Sequence, residues 1–139
     1  MRVVLDTNVV VAAFRSINGA SNELLRHVAV GNPTILCSTA LFLEYEAVLT
    51  RSEVRAATGH TLPDVAAIMD ALASLAEPVD IYFSTRPTLR DPDDEMVLEV
   101  ANNGRAEVIV THNLRDFGPA RTLGIDVASP GEVLRRLER

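Results

Sequence analysis

The chain has 139 residues, 47% of them hydrophobic and only 4% aromatic, with a net charge of −6. That length fits one domain spanning 1–139, in which Val, Leu, Ala and Ile must do the packing. The acidic balance argues against a simple electrostatic binder of nucleic acid, but does not exclude a nuclease whose metal site itself concentrates carboxylates.

In chain order, RVVL (2–5) is a buried strand candidate, and 7–15 and 20–30 carry helical patterns. TILC (34–37) reads as a second strand, followed by a helical region from Ser38 to about Arg51. A further helix fits 52–58, ended by Gly59, and 62–76 is helical with Pro63 near its start. VDIYF (79–83) reads as a strand. Asp91-Pro92 opens a helix running to about Asn103 and closed by Gly104. EVIV (107–110) and IDVA (125–128) are strands, and Ser129-Pro130 begins a last helix.

Short apolar strands alternating with helices predict βαβ units, with strands buried on both faces of a parallel sheet. In such sheets ligands bind at the carboxyl ends of the strands, where strand order reverses. Cys37 is the single cysteine, so no internal disulfide forms, which fits a reducing compartment. Asp6 and Asn8 interrupt the opening apolar stretch, no small-residue cleavage site follows, and no run approaches the roughly 20 residues of a membrane span. A cytoplasmic protein is expected. All 13 basic residues are Arg, which a GC-rich coding bias explains, and the terminal group Arg135, Arg136 and Arg139 suits a solvated helix end.

The candidate chemistry lies just beyond the strands. Asp6 follows the first strand, where it suits a helix N-cap accepting from the amides of Asn8 or Val9. Thr7 and Asn8 suit capping equally well. Glu44 borders the apolar stripe Leu41, Tyr45, Val48 and Leu49, where a carboxylate needs a partner. In RDPDDEMVLEVA, Asp91 caps while Asp93, Asp94 and Glu95 fall in the first helical turn, favoured there by the helix dipole. Asp94 shares a face with Val97, Leu98 and Ala101, Asp93 leans toward Val97 and Val100, and Glu95 faces away. Periodicity does not choose between Asp93 and Asp94. Thr111, Asn113 and Asp116 lie beyond the EVIV strand, in what a polar turn with a capped short helix also explains. No His or Cys spacing matches a zinc site, and His112 reads as a surface residue. Each segment alone has an ordinary structural explanation. Together they bring carboxylates from four regions to one sheet edge, where they repel unless a divalent cation neutralises them. Hard oxygen ligands suit Mg²⁺ or Mn²⁺, and such a site serves phosphodiester hydrolysis.

These segments resemble those of the PIN-domain ribonucleases, in particular the VapC-like toxins of bacterial toxin–antitoxin pairs. VVLDTNVVVAAF is similar to the family's opening strand with its Asp-Thr-Asn signature, and STALFLEYEAVLTR to the segment carrying the second acid, at Glu44. RDPDDEMVLEVANNGRAEVIVTHNLRDF resembles the third and fourth segments. The third acid falls at Asp94, seven residues before Ala101. At the fourth, many members have Asp two residues after the Thr; here Asn113 stands there, and the variant with Asp three residues later fits through Asp116. The role is therefore divided between Asn113 and Asp116.

The resemblance implies a three-layer α/β/α fold around a parallel sheet of about five strands. It also implies Mg²⁺- or Mn²⁺-dependent cleavage of single-stranded RNA, a homodimer, and inhibition by a cognate antitoxin. The residues that follow are Asp6 and Asp94 as principal metal ligands, Glu44 as ligand or positioner, and Asp116 with Asn113 completing the site. Thr7 and Thr111 orient carboxylates or water through their hydroxyls, with Asn8 and Asp93 in support. Residue chemistry alone serves RNA and DNA alike. Two rivals stand beside this reading. A phosphatase with Asp6 as nucleophile wants a second Asp at the position of Asn8. A binding module retains the acidic pocket without catalysis.

Overall fold

Val3, Val4 and Leu5 are fully enclosed, as an apolar run without alternation requires of a strand covered on both faces. The computed structural model describes residues 1–84 and 89–138. Strand β1 (Arg2–Leu5) lies at the centre of a five-stranded sheet of order β3-β2-β1-β4-β5. It pairs in parallel with β2 (Thr34–Cys37), Val3 opposite Ile35, and with β4 (Val108–Val110), Val4 opposite Ile109. β5 (Asp126–Ala128) extends the sheet beyond β4, and β3 (Glu77–Pro78) forms the other edge. All these pairings are parallel, so every strand ends on the same side. Strand order reverses at β1, whose successor β2 lies on one side and β4 on the other.

The helices are α1 (Thr7–Arg15), α2 (Ala20–Ala29), α3 (Thr39–Leu49), α4 (Ser52–Thr58), α5 (Leu62–Leu75), α6 (Pro92–Gly104) and α7 (Pro130–Leu137). They complete a three-layer α/β/α sandwich, with α6 packed across β1, β2 and β4 and with α1 against α2, α3 and α4. Ser38 and Ser129 start their helices as expected, and Thr61 adds a cap beyond those expected. Ser38 accepts from the Leu41 amide, Thr61 and Asp64 form a reciprocal capping box, and Ser129 accepts from the Glu132 amide. Gly59 ends α4 in the left-handed conformation. Among the described residues no helix is long and apolar enough to cross a membrane.

Three sequence expectations are corrected. The edge strand is Glu77–Pro78 and not VDIYF: the backbone pairs with Leu36 and Cys37 and leaves the sheet after the Val79 amide donates to the Cys37 carbonyl. Tyr82 and Phe83 are then exposed, their amides held by the Asn103 side chain. The segment after β4 does form a short helix, as a 3-10 helix, Leu114–Leu123, with Pro119 inside it and without a side-chain cap. Glu95 does not face away but is buried, its carboxylate accepting from the Leu89 amide. Finally, Gly104 does not stop α6. It is the last helical residue, and Arg105 takes the left-handed conformation at φ 53°. Arg139, the end of the terminal arginine group, lies outside the described residues.

Gly104 is needed for close approach. A Cβ there would stand 2.9 Å from a Val79 methyl and 3.0 Å from a Leu36 methyl. Overpacking of this kind costs about 1–3 kcal/mol, against the ~1 kcal/mol that Ala gains over Gly in a helix. Urea unfolding should therefore rank Gly104→Ala below wild type despite its better helix propensity. Arg105→Gly should rank above wild type by about 0.5–1 kcal/mol, because glycine removes the left-handed strain.

Candidate active site

The carboxyl end of β1 is where the polar residues of the opening segment are fixed. The Asp6 amide donates to the Val110 carbonyl at 2.9 Å, extending the pairing of β1 with β4 by one residue. Asp6 then caps α1, but it accepts from the Thr7 amide (2.8 Å) rather than from Asn8 or Val9. Its second oxygen accepts from the hydroxyl of Thr111, at 2.7 Å, from the end of β4. Thr111 is fully buried, and its hydroxyl oxygen in turn accepts from the Asn113 amide at 3.0 Å. The Asn8 side-chain oxygen reaches the His112 amide at 3.4 Å. His112, exposed as expected, stands 3.3 Å from the Ser21 hydroxyl on α2. Beneath this network the buried Tyr45 hydroxyl donates to the Leu5 carbonyl, tying α3 to the last residue of β1. Thr111 thus orients the Asp6 carboxylate through its hydroxyl, as the sequence suggests, whereas Thr7 does so through its amide.

The other candidates enter from helices that abut this edge. Glu44 is half-buried on α3, and Asp94 is half-buried in the first turn of α6. Asp93 is exposed, donating its amide to the Asp91 cap at 2.9 Å. A cavity of about 340 Å³ is lined by Asp6, Thr7, Asn8, Glu44, Asp93, Asp94 and Asn113, with Val11, Val48, Val54, Arg15 and Arg51 as the remaining wall. A second, of about 660 Å³, continues from Asp94 to Asp116, Asp91, Arg90 and Arg115. Asp94 belongs to both. The structure therefore brings Asp6, Glu44, Asp93, Asp94 and Asn113 around one space and sets Asp116 across Asp94 from it. Sequence reasoning did not single out Arg15 and Arg51, whose arrival in the cleft depends on how α1 and α4 pack together.

The electrostatics are those of crowded carboxylates. Burial pushes the Asp94 carboxyl up to about 7, and the nearby charges of Asp6, Asp91, Asp116 and Asp93 add to it. Burial also raises Asp6, and the repulsion of Asp116 adds to it, against the opposing hydrogen bonds from Thr111 and Thr7 and the attraction of His112. Glu44 is raised by burial and by Asp93 and Asp91, with Arg51 acting the other way. Such a group relieves itself by holding a proton or by neighbouring a cation. Among the described residues no three Asp, Glu, His or Cys side chains stand close enough to hold an ion as they lie. The donor set itself, carboxylate oxygens with the Asn113 amide, is the hard-oxygen chemistry that Mg²⁺ and Mn²⁺ take.

The family model described as PIN domain matches residues 2–115. The chain belongs to the PIN-domain family. Among solved structures it resembles VapBC2 from Rickettsia felis, determined bound to a DNA fragment from its promoter. There the identity is 18%, 91% of this chain and 97% of that chain are covered, and the TM-score is 0.63. It also resembles VapBC-1 from nontypeable Haemophilus influenzae, with 14% identity, 94% and 99% coverage, and a TM-score of 0.64. No curated protein sequence matches the chain.

Two outcomes follow. Thr111→Val removes the donor to Asp6 and leaves its buried oxygen unpaired, at a cost of about 1–3 kcal/mol in urea unfolding. The second concerns pH. The folded-state pKa of Asp94 is raised from 3.8 to about 7, so the folded state holds a proton that the unfolded chain has released. In EDTA its contribution to stability is neutral below about pH 4, becomes increasingly unfavourable up to about pH 7, and then levels off. Asp94→Asn should be more stable than wild type at pH 8, by on the order of 1 kcal/mol after solvent screening. The two should converge below pH 4, as thermal melts across that range will show.

Proposed function

We propose that this chain is a metal-dependent ribonuclease that hydrolyses phosphodiester bonds in single-stranded RNA, and that it is the toxin of a toxin–antitoxin pair. One observation carries the catalytic part: Asp6, Glu44, Asp94 and Asp116 come from four separate segments to the carboxyl edge of a parallel sheet, at its switch in strand order. Membership of the PIN-domain family and likeness to two VapBC structures support the toxin assignment. In this reading residues 1–139 form one nuclease domain, working in the cytoplasm as a homodimer and held in check by a cognate antitoxin.

Asp6 and Asp94 are the principal ligands for Mg²⁺ or Mn²⁺, with Glu44 as ligand or positioner. Asp116, with Asn113, completes the acidic set, and Asp93 adds charge at the cleft mouth. When bound, a divalent cation activates water and offsets the charge of the phosphoryl group in displacement. The chain's own contribution is orientation. Thr111 and the Thr7 amide hold both oxygens of Asp6, and each oxygen keeps a lone pair that these bonds do not use. Asn8 fixes the loop after β4 through the His112 amide. Tyr45 holds the strand end on which Asp6 stands.

Purified protein with total RNA and Mn²⁺ should give defined cut ends, absent in EDTA. Asp94→Asn should lower the rate at least about 100-fold, as loss of an electrostatic catalytic group does, while its circular dichroism spectrum is unchanged. A variant that cleaves as fast as wild type with metal supplied would overturn the assignment.

A further inference from the structure

The acidic floor of the cleft raises a question that the carboxylates do not answer: how a chain of net charge −6 holds a polyanion there. The arginines among the described residues divide into two sets. Arg2, Arg26, Arg55, Arg121 and Arg136 are engaged with carbonyls, amide oxygens or carboxylates of the fold. Arg15, Arg51, Arg90, Arg105, Arg115 and Arg135 make no side-chain hydrogen bond or close ion pair among the described residues. Four of those six border the cleft, in two pairs. Arg15, in the last turn of α1, and Arg51, capping α4, line the cavity over Glu44 and Asp6. Arg90, before α6, and Arg115, in the 3-10 helix, line the cavity over Asp116. The two cavities meet at Asp94.

We infer that these two arginine pairs are phosphate clamps, Arg15 with Arg51 on one bank and Arg90 with Arg115 on the other, which carry a single nucleic-acid strand across Asp94. The inference rests on the ribonuclease reading above and names the residues that give it a substrate track. Guanidinium groups suit the task. They remain charged at every working pH, and their planar fork matches two phosphate oxygens. All four are exposed, and among the described residues none has a side-chain hydrogen bond or close ion pair to give up to a ligand. The position of Arg90 is set by its neighbours: the buried Glu95 carboxylate takes the Leu89 amide, and the Glu95 amide donates to the Asp91 carbonyl at 3.1 Å. A track with arginines at both ends and carboxylates between them places the backbone's charge on the banks and the scissile phosphate over the site of chemistry.

The test is binding of a fluorescently labelled 12-nucleotide single-stranded RNA, followed by anisotropy in EDTA between 25 and 200 mM KCl, with cleavage in Mn²⁺ measured in parallel. Each single-strand phosphate contact contributes about 0.7 to the slope of log affinity against log salt. Arg15→Gln/Arg51→Gln and Arg90→Gln/Arg115→Gln should each lower that slope by about 1.4 and weaken binding at least tenfold at low salt. The control Arg105→Gln/Arg135→Gln has the same change in net charge and should leave both nearly unchanged. If the cleft pairs behave like the control while wild type still cleaves RNA, the clamps are overturned and the ribonuclease reading stands. If wild type neither binds nor cleaves RNA, the ribonuclease reading falls, and the clamps with it.

Discussion

The Thr111 hydroxyl donating to the Asp6 carboxylate is the contact on which the rest of the site depends. It joins the ends of β1 and β4, adjacent strands that are 105 residues apart in the chain. Pairing of Leu5 with Val110 brings the two residues level, and the Asp6 amide on the Val110 carbonyl fixes the register one step further. Without that bond Asp6 is a helix cap facing a cleft. With it, one oxygen is tied to the start of α1 and the other to β4, and the carboxylate has a single orientation.

From that fixed point the site is assembled by repulsion as much as by attraction. Burial and neighbouring carboxylates raise Asp6, Glu44 and Asp94 together, and Asp94 reaches about 7. A fold gathers acids in this way only at a cost in stability, and a bound cation would return it. The same crowding makes the cleft hostile to a nucleic acid except where the arginines on its banks intervene. In the proposed reading, acid floor and arginine rim belong to one electrostatic design, in which neither part suffices for a polyanionic substrate.

Much of the fold was legible because parallel strands buried on both faces read as uninterrupted apolar runs. RVVL, TILC and the core of EVIV stand where those runs place them. The edge strand misled for the opposite reason. Glu77 and Pro78 carry no apolar signal, whereas Ile81, Tyr82 and Phe83 form a hydrophobic run that is exposed. Gly104 misled because glycine's usual role in ending helices hid its second use, close packing against Leu36 and Val79. At the site, strand ends located Asp6 and Thr111, but helical periodicity left Asp93 and Asp94 open. The structure separates them by exposure, although both face the same cavity. Periodicity points Glu95 outward because its partner, the Leu89 amide, lies in a segment without periodicity. The cleft arginines are invisible to sequence for the same physical reason: what distinguishes them is that, among the described residues, no side-chain hydrogen bond or close ion pair holds them, and that is decided by packing.

The central claim is that the carboxylates at the end of β1 form a site for a divalent cation. Mn²⁺ binding followed by electron paramagnetic resonance on wild type, Asp6→Ala and Asp94→Asn tests it without recourse to any substrate. The account predicts saturable binding by wild type at neutral pH, weakened at least about tenfold in each variant, in the range expected when a metal site loses a supporting group. Binding of equal strength in all three proteins, or none in wild type, would contradict it.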